Sequence, residues 1–321
     1  MIPNLKMIVR LTIALSSITG LVACGPRNSA PATLRIAVLP ILDALPLYVA
    51  QREGYFDAEG IAVEFVAAGA AAERDQLLQA EQVDGVISDL VALALANREG
   101  LRLVAVRYAM AATSQDPQFR ILGSAASELS APDDLRGIAI GVSQGTVIEY
   151  VTYRLLQAEG LAPDAIETLG VPKIPDRMAL LAAGELKAAT LPEPLASLAL
   201  QQGARLILAD SVHPELSCSI YAFRSDVVQT RPEDVRRFLR AVGRASAAIN
   251  LDSSRWAELL SEQSLVPAPL IGSYALPHYP GQAAPSESQY ADVTAWLAET
   301  GLLESAAPYA DVVTAELLEL P

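Results

Sequence analysis

From Leu34 onward, short apolar runs alternate with longer stretches whose apolar positions recur every three or four residues. The short runs read as buried strands and the longer ones as amphipathic helices. Strands are predicted at 34–39 (LRIAVL), 61–66, 84–88, 101–108, 137–142, 187–191 and 204–209. Helices are predicted between them at 46–53, 73–82, 89–99, 146–159, 176–184 and 192–202. Gly54, Gly100, Gly160 and Gly203 each follow a predicted helix, where a left-handed residue ends it at low cost. Alternating strands and helices are the rhythm of an α/β fold. Beyond Arg231 the pattern is helical only, at 231–249, 253–264, 286–299 and 309–319.

The pattern repeats. Laying 74–105 on 177–208 without a gap pairs Arg74 with Arg177, Leu78 with Leu181, Gly100 with Gly203 and Arg102 with Arg205. The strand residues Ile36-Ala37-Val38 fall nearly in step with Ile138-Ala139-Ile140. Such self-similarity implies two α/β lobes built in succession, and the alternative is two generic helix–strand units obeying the same capping rules.

The start of the chain is different. Lys6 and Arg10 precede an apolar stretch of about 13 residues from Leu11 to Ala23, too short for the roughly 20 that span a bilayer. A basic start, an apolar core and small residues before a cleavage point make a secretory signal. It closes on Leu21-Val22-Ala23-Cys24, which resembles the lipobox of bacterial lipoproteins. That resemblance implies that the Cys24 thiol carries lipid and becomes the mature N-terminus; the alternative is an ordinary cleaved signal with an incidental cysteine. Residues 24–33, rich in small and polar residues with two prolines, read as a flexible tether.

Beyond the signal about 300 of the 321 residues remain, enough for two lobes with their own cores. The net charge of −14 argues against nucleic acid and against a basic membrane-surface patch. Cys218 is the one thiol left after Cys24, so an exported chain has no internal disulfide. The two histidines, His213 and His278, form no cysteine–histidine cluster, so no metal site and no cofactor is expected.

Several segments carry a family likeness: LRIAVLPILDALPLYVAQREGYFDAEGIAVEFV, GVISDLVALAL, LRGIAIGVSQGTVIEY and AATLPEPLASLALQQGARLIL. They resemble the nitrate/sulfonate/taurine-type solute-binding proteins of ABC importers, a group that includes binders of thiamine precursors. The resemblance runs from about Leu34 to Pro321. It implies the periplasmic binding protein type II fold: two α/β lobes joined by two hinge strands, with a helical C-terminal part. On that expectation lobe one is 34–119 plus 224–321, lobe two is 125–218, and the hinges are 120–124 and 219–223. The partners it implies are a small solute, an ABC permease and its ATPase, with the chain a monomer held to the extracytoplasmic face of a membrane by lipid alone.

Open α/β sheets bind ligands beyond the carboxyl ends of their strands. Four strand-to-helix turns therefore supply candidate binding residues. Pro40 and Asp43 precede the helix that Pro46 starts; Asp43 caps that helix or meets ligand. Ser88 and Asp89 follow the third strand, and whichever does not cap is free for the cleft. Ser143, Gln144, Gly145 and Thr146 are the third set; Thr146 with Glu149 matches a capping box, and the helix N-terminus suits an anion or carbonyl oxygen. Pro192 and Glu193 are the fourth, the glutamate held between prolines. Arg177 is a possible anion partner, although its repeat counterpart Arg74 favours a structural role for both. The helix N-termini suit a sulfonate- or nitrate-like anion, whereas the carboxylates suit an aminopyrimidine or flavin-like donor. The chain is read as a binding protein and not an enzyme, since no Ser/His/Asp arrangement can be placed; a ligand sensor without transport is the other reading.

Overall fold

The computed structural model describes residues 33–318. The signal-like segment, Cys24 and residues 319–321 lie outside the described residues.

In chain order the first part runs β1 (Thr33–Val38), α1 (Leu45–Arg52), α2 (Tyr55–Ala58), β2 (Ala62–Ala67), α3 (Ala71–Gln79), β3 (Gly85–Asp89), α4 (Leu90–Ala96) and β4 (Leu103–Ala111). The middle part runs β5 (Phe119–Gly123), β6 (Ala139–Val142), α5 (Val147–Ala158), β7 (Glu167–Gly170), α6 (Ile174–Ala183), β8 (Ala188–Pro192), α7 (Leu195–Gln201) and β9 (Arg205–Ala209). The chain then enters β10 (Cys218–Arg224) and continues as α8 (Ser225–Thr230), α9 (Pro232–Leu251), α10 (Ala257–Glu262), α11 (Glu287–Glu299) and α12 (Tyr309–Val312). The predicted α/β alternation is present. The polar edge strand β7 carries no apolar alternation and escapes a pattern search. The predicted helix at 309–319 ends early because Val313 bridges Ala105, and the Thr314 N–H donates to the Ala105 carbonyl at 2.9 Å. The tail thus covers the open edge of β4.

Two five-stranded sheets result, in the orders β2-β1-β3-β10-β4 and β7-β6-β8-β5-β9. Each holds three parallel strands, and in each the fourth strand runs antiparallel to both its neighbours. The second sheet therefore reproduces the first. The aligned arginines do equivalent work: Arg74 donates to the Ile87 carbonyl and Arg177 to the Thr190 carbonyl, at matching places on β3 and β8. Gly100 and Gly203 both have positive φ, 138° and 100°, which is why glycine stands at both positions.

The segments expected as hinges fall on β5 and β10, inside the sheets. Both are apolar and buried, so they become interior strands, and the chain passes between the sheets at 112–118 and 210–217 instead. These crossovers are bonded to each other. The fully buried Asp210 carboxylate accepts the Gln118 N–H at 3.0 Å and the Phe119 N–H at 3.1 Å, and the Ala112 N–H donates to the Ser217 carbonyl at 3.1 Å.

Two lobes joined by only two strands are expected to have little else between them. The structure corrects this. Helix α5 of the second lobe packs against α4 and α11 of the first, inside one shared apolar core. The Tyr150 ring meets Trp296 edge-on at 5.6 Å, and its hydroxyl donates to Asp292 at 2.7 Å. Arg154 reaches across to Asp292 at 3.1 Å and Glu299 at 2.9 Å. Among the described residues no helix is long and apolar enough to cross a membrane.

Burial pushes the Asp210 carboxyl up to about 6, against the Ser217 hydroxyl and the two backbone N–H groups that favour its charge. Its folded state holds a proton more tightly than the unfolded chain, so its contribution to stability falls as pH rises from about 4 to about 6. The stability of the native chain relative to Asp210→Asn is expected to drop by about 3 kcal/mol across that window, from the size of the shift. Urea melts at pH 4, 5, 6 and 7 check this; a flat difference refutes it.

Candidate functional site

The turns after β1, β3, β6 and β8 leave the carboxyl ends of the strands, as expected, but their residues have divided the work. Pro40 is exposed. Asp43 lies in a short 3-10 turn (Leu42–Ala44) and caps nothing, for Ala44 precedes α1 without a side-chain cap. Two tyrosines fix this turn by its carbonyls: Tyr279 donates to Leu42 at 2.8 Å and Tyr221 to Asp43 at 3.4 Å. Burial pushes the Asp43 carboxyl up, and the Ser219 hydroxyl beside it, on β10, works the other way.

Asp89 is the N-cap of α4, accepting the Ala92 N–H at 2.9 Å. Capping therefore falls to Asp89, and Ser88, buried one residue earlier, is free of that duty. Burial pushes the Asp89 carboxyl up, and Arg74 pulls it down.

Ser143 is not a free donor. Its hydroxyl donates to the Pro172 carbonyl at 3.0 Å and accepts Arg177 Nη1 at 3.0 Å. Gln144 is exposed. Thr146 caps α5 as predicted, accepting the Ile148 N–H at 3.2 Å. The Glu149 carboxylate reaches back one residue further than a capping box requires, to the Gly145 N–H at 2.7 Å. Gly145 makes that geometry possible with φ of 70°.

Pro192 ends β8. Glu193 has protein partners: its buried carboxylate lies 2.5 Å from Arg120 Nε and also accepts the Ser197 N–H, in the first turn of α7, at 3.3 Å. Tyr274 of the first lobe faces this pair, its hydroxyl pushed up by burial and then by Glu193. Cys218 is buried, and burial pushes its thiol up to about 12, which leaves it inert at neutral pH.

A cavity of about 310 Å³ opens between α3 and α4 and reaches the second lobe at Gly145 and Thr146. Arg74, Asp75, Leu78, Asp89, Leu95 and Arg98 are among its walls. Three sequence-predicted residues, Asp89, Gly145 and Thr146, thus meet around one space with contributions from both lobes. Asp43 and Glu193 are not part of its lining. Arg120, Ser219 and Tyr274 were not among the candidates: each sits within an apolar or loop segment that gives no local sign of facing a strand end. Arg177, offered by its loop as an anion partner, has the structural role that its repeat counterpart Arg74 favours: it holds the Thr190 and Val171 carbonyls.

The model of the NMT1-like family matches residues 27–261. A search of curated proteins found no match. Among solved structures the chain is similar to the alkanesulfonate-binding protein SsuA from Xanthomonas axonopodis pv. citri bound to MOPS, at 21% identity and TM-score 0.71, over 89% of this chain and 99% of that one. It is similar to the periplasmic aliphatic sulphonate binding protein SsuA from Escherichia coli at 20% identity and TM-score 0.73, over 88% and 92%. It is similar to the periplasmic nitrate-binding protein NrtA from Synechocystis PCC 6803 at 16% identity and TM-score 0.70, over 89% and 87%. At these identities the likeness is one of fold, the two-lobed type II periplasmic binding protein arrangement.

The two carboxylates first grouped together should respond differently to substitution. Glu193→Ala leaves the Arg120 guanidinium without its partner and is expected to cost about 3 kcal/mol. Asp43→Asn removes a charge that burial disfavours and is expected to leave the melting temperature at pH 7 unchanged or raised. Thermal melts of both variants check the contrast; equal losses would place Asp43 in the same structural role as Glu193.

Proposed function

Because the chain belongs to the NMT1-like family and has the type II periplasmic binding protein fold, we propose that it is a lipid-anchored extracytoplasmic receptor that delivers a small organic or anionic solute to an ABC permease. The observation that carries the reading is the cavity of about 310 Å³ shared by the two lobes, at the small end of the range for small-molecule pockets. Asp89 on one side and the Gly145–Thr146 turn on the other give the solute contacts in both lobes. Contacts on both sides bind the closed arrangement better than an open one, and that difference is what shifts the equilibrium. The receptor works as a monomer with the permease and its ATPase as partners, and it performs no reaction on its solute. Nitrate-, sulfonate- and taurine-like solutes are the leading class, named from the relatives and from the helix N-terminus at Thr146.

Two measurements test this. A true solute at about 100 times its Kd should add roughly 2.7 kcal/mol of stability to the full chain in non-ionic detergent. A panel of sulfonates, nitrate, bicarbonate, aminopyrimidines and flavin-like compounds that leaves the melt unchanged throughout would sink the receptor reading. For the anchor, Cys24→Ser should release the protein from the membrane fraction of a bacterial host. Retention of the variant on membranes, with no lipid on wild type by mass spectrometry, would remove lipid attachment from the proposal.

A further inference from the structure

The cavity between α3 and α4 is lined by charges of both signs, unevenly placed along it. Arg74, Asp75 and Asp89 stand at its inner end, where the starts of α4 and α5 meet. Arg98, Glu99 and Arg102 stand at its outer end, beyond the last turn of α4. The 7 residues of α4 set the two ends about 10 Å apart.

Each end has one charge left over. Arg74 is spent on Asp75 at 2.8 Å, which leaves Asp89. Glu99 is shared between Arg98 at 3.8 Å and Arg102 at 3.4 Å, which leaves one positive charge. The outer side chains are more than half exposed, so water screens them and their pairing is worth little. Asp89 is only partly exposed, and burial pushes its carboxyl up by more than Arg74 pulls it down. The inner end therefore decides what the cavity takes.

Nothing in the protein balances Asp89. Its Oδ1 accepts the Ala92 N–H at 2.9 Å, but the carboxylate forms no ion pair among the described residues. The second lobe brings no cation to it, and the start of α5 is already satisfied: Gly145 N–H donates to Glu149 at 2.7 Å and Ile148 N–H to Thr146 at 3.2 Å. The Glu149 carboxylate also offsets the positive end of that helix. The fold itself does not require the acids. In the repeat, Asp75 and Asp89 fall on Met178 and Pro192, and α7 starts there without a side-chain cap. Between the two ends of the cavity Leu78, Ala92 and Leu95 make an apolar wall.

We propose that the solute is an alkylammonium, its ammonium group paired with Asp89 and its aliphatic chain laid along Leu78, Ala92 and Leu95. An ammonium supplies the counter-charge that a partly desolvated carboxylate lacks. A carboxylate has lone pairs for both the Ala92 N–H and a second donor. The assignment rests on the solute-receptor reading and narrows it from small organic or anionic solutes to amines.

The test uses the full chain in non-ionic detergent and calorimetry. Hexylammonium and 6-aminohexanoate are the ammonium probes; heptanoate, with a methyl group in place of the ammonium, is the control. Wild type should bind an ammonium probe at least about tenfold more tightly than heptanoate. Asp89→Asn removes the charge and keeps a good helix cap, so the variant should fold. It should weaken binding of that probe by at least about tenfold and leave heptanoate unchanged. Arg98→Gln should change the same affinity by no more than about fivefold, the scale of an exposed pair. Heptanoate bound as tightly as the better ammonium probe would overturn the assignment while leaving the receptor reading intact. So would ammonium affinity unchanged in Asp89→Asn, or a larger loss in Arg98→Gln than in Asp89→Asn. Binding of none of the three probes would overturn it as well, and the wider solute panel then decides the receptor reading separately.

Discussion

Each sheet is completed by a strand that arrives from the other lobe. β5 enters the second sheet directly from β4, and β10 enters the first directly from β9, each lying antiparallel between two neighbours. Without β10 the first sheet would lose the strand that joins β3 to β4, and without β5 the second would lose the link between β8 and β9. Neither lobe can therefore close its ladder alone. The exchange also fixes the crossovers as a short, paired connection, which Asp210 ties together from inside the fold. The placement of the strand ends, the meeting of α4 with α5 and the shared cavity all follow from this topology.

Around that frame, chemically similar groups have been given different tasks by their surroundings. Asp89 ends as a helix cap, Glu193 as half of an ion pair with Arg120, and Asp210 as an acceptor for backbone N–H groups. Asp43 alone among the predicted cleft carboxylates has neither a cap nor an arginine, and burial raises it accordingly. The same division applies to the paired arginines, one balanced by Asp75 and the other lacking an acid. A repeated backbone with diverging side chains gives two lobes of one shape and two electrostatic characters.

The contact between α5 and α11 bears on motion. Hinge closure in two-lobed receptors is carried by a few residues at the crossovers. Here the Tyr150–Trp296 contact binds the lobes beside those crossovers through a buried apolar core, and the Arg154 pairs with Asp292 and Glu299 flank it at the exposed rim. Rotation that opens the strand ends must pivot near this core or separate it.

The α/β class, the strand and helix order and the doubling of the lobes were legible in the chain because they depend on periodicity, which is local: LRIAVL alternates with amphipathic stretches, and Arg74 falls on Arg177 when one half is laid on the other. The capping of α5 by Thr146 was legible for the same reason, since a cap needs only its own first turn. What Glu193, Ser143 and Arg177 do was not legible. Their partners Arg120, Pro172, Val171 and Thr190 come from separate elements, and only the packed sheets bring them within hydrogen-bond distance. The sequence by itself determined which segments become strands and helices and that they form two similar units. Tertiary structure alone decided which strand crosses into which sheet and which buried charge finds a partner, because those outcomes depend on desolvation and on contacts between residues far apart in the chain.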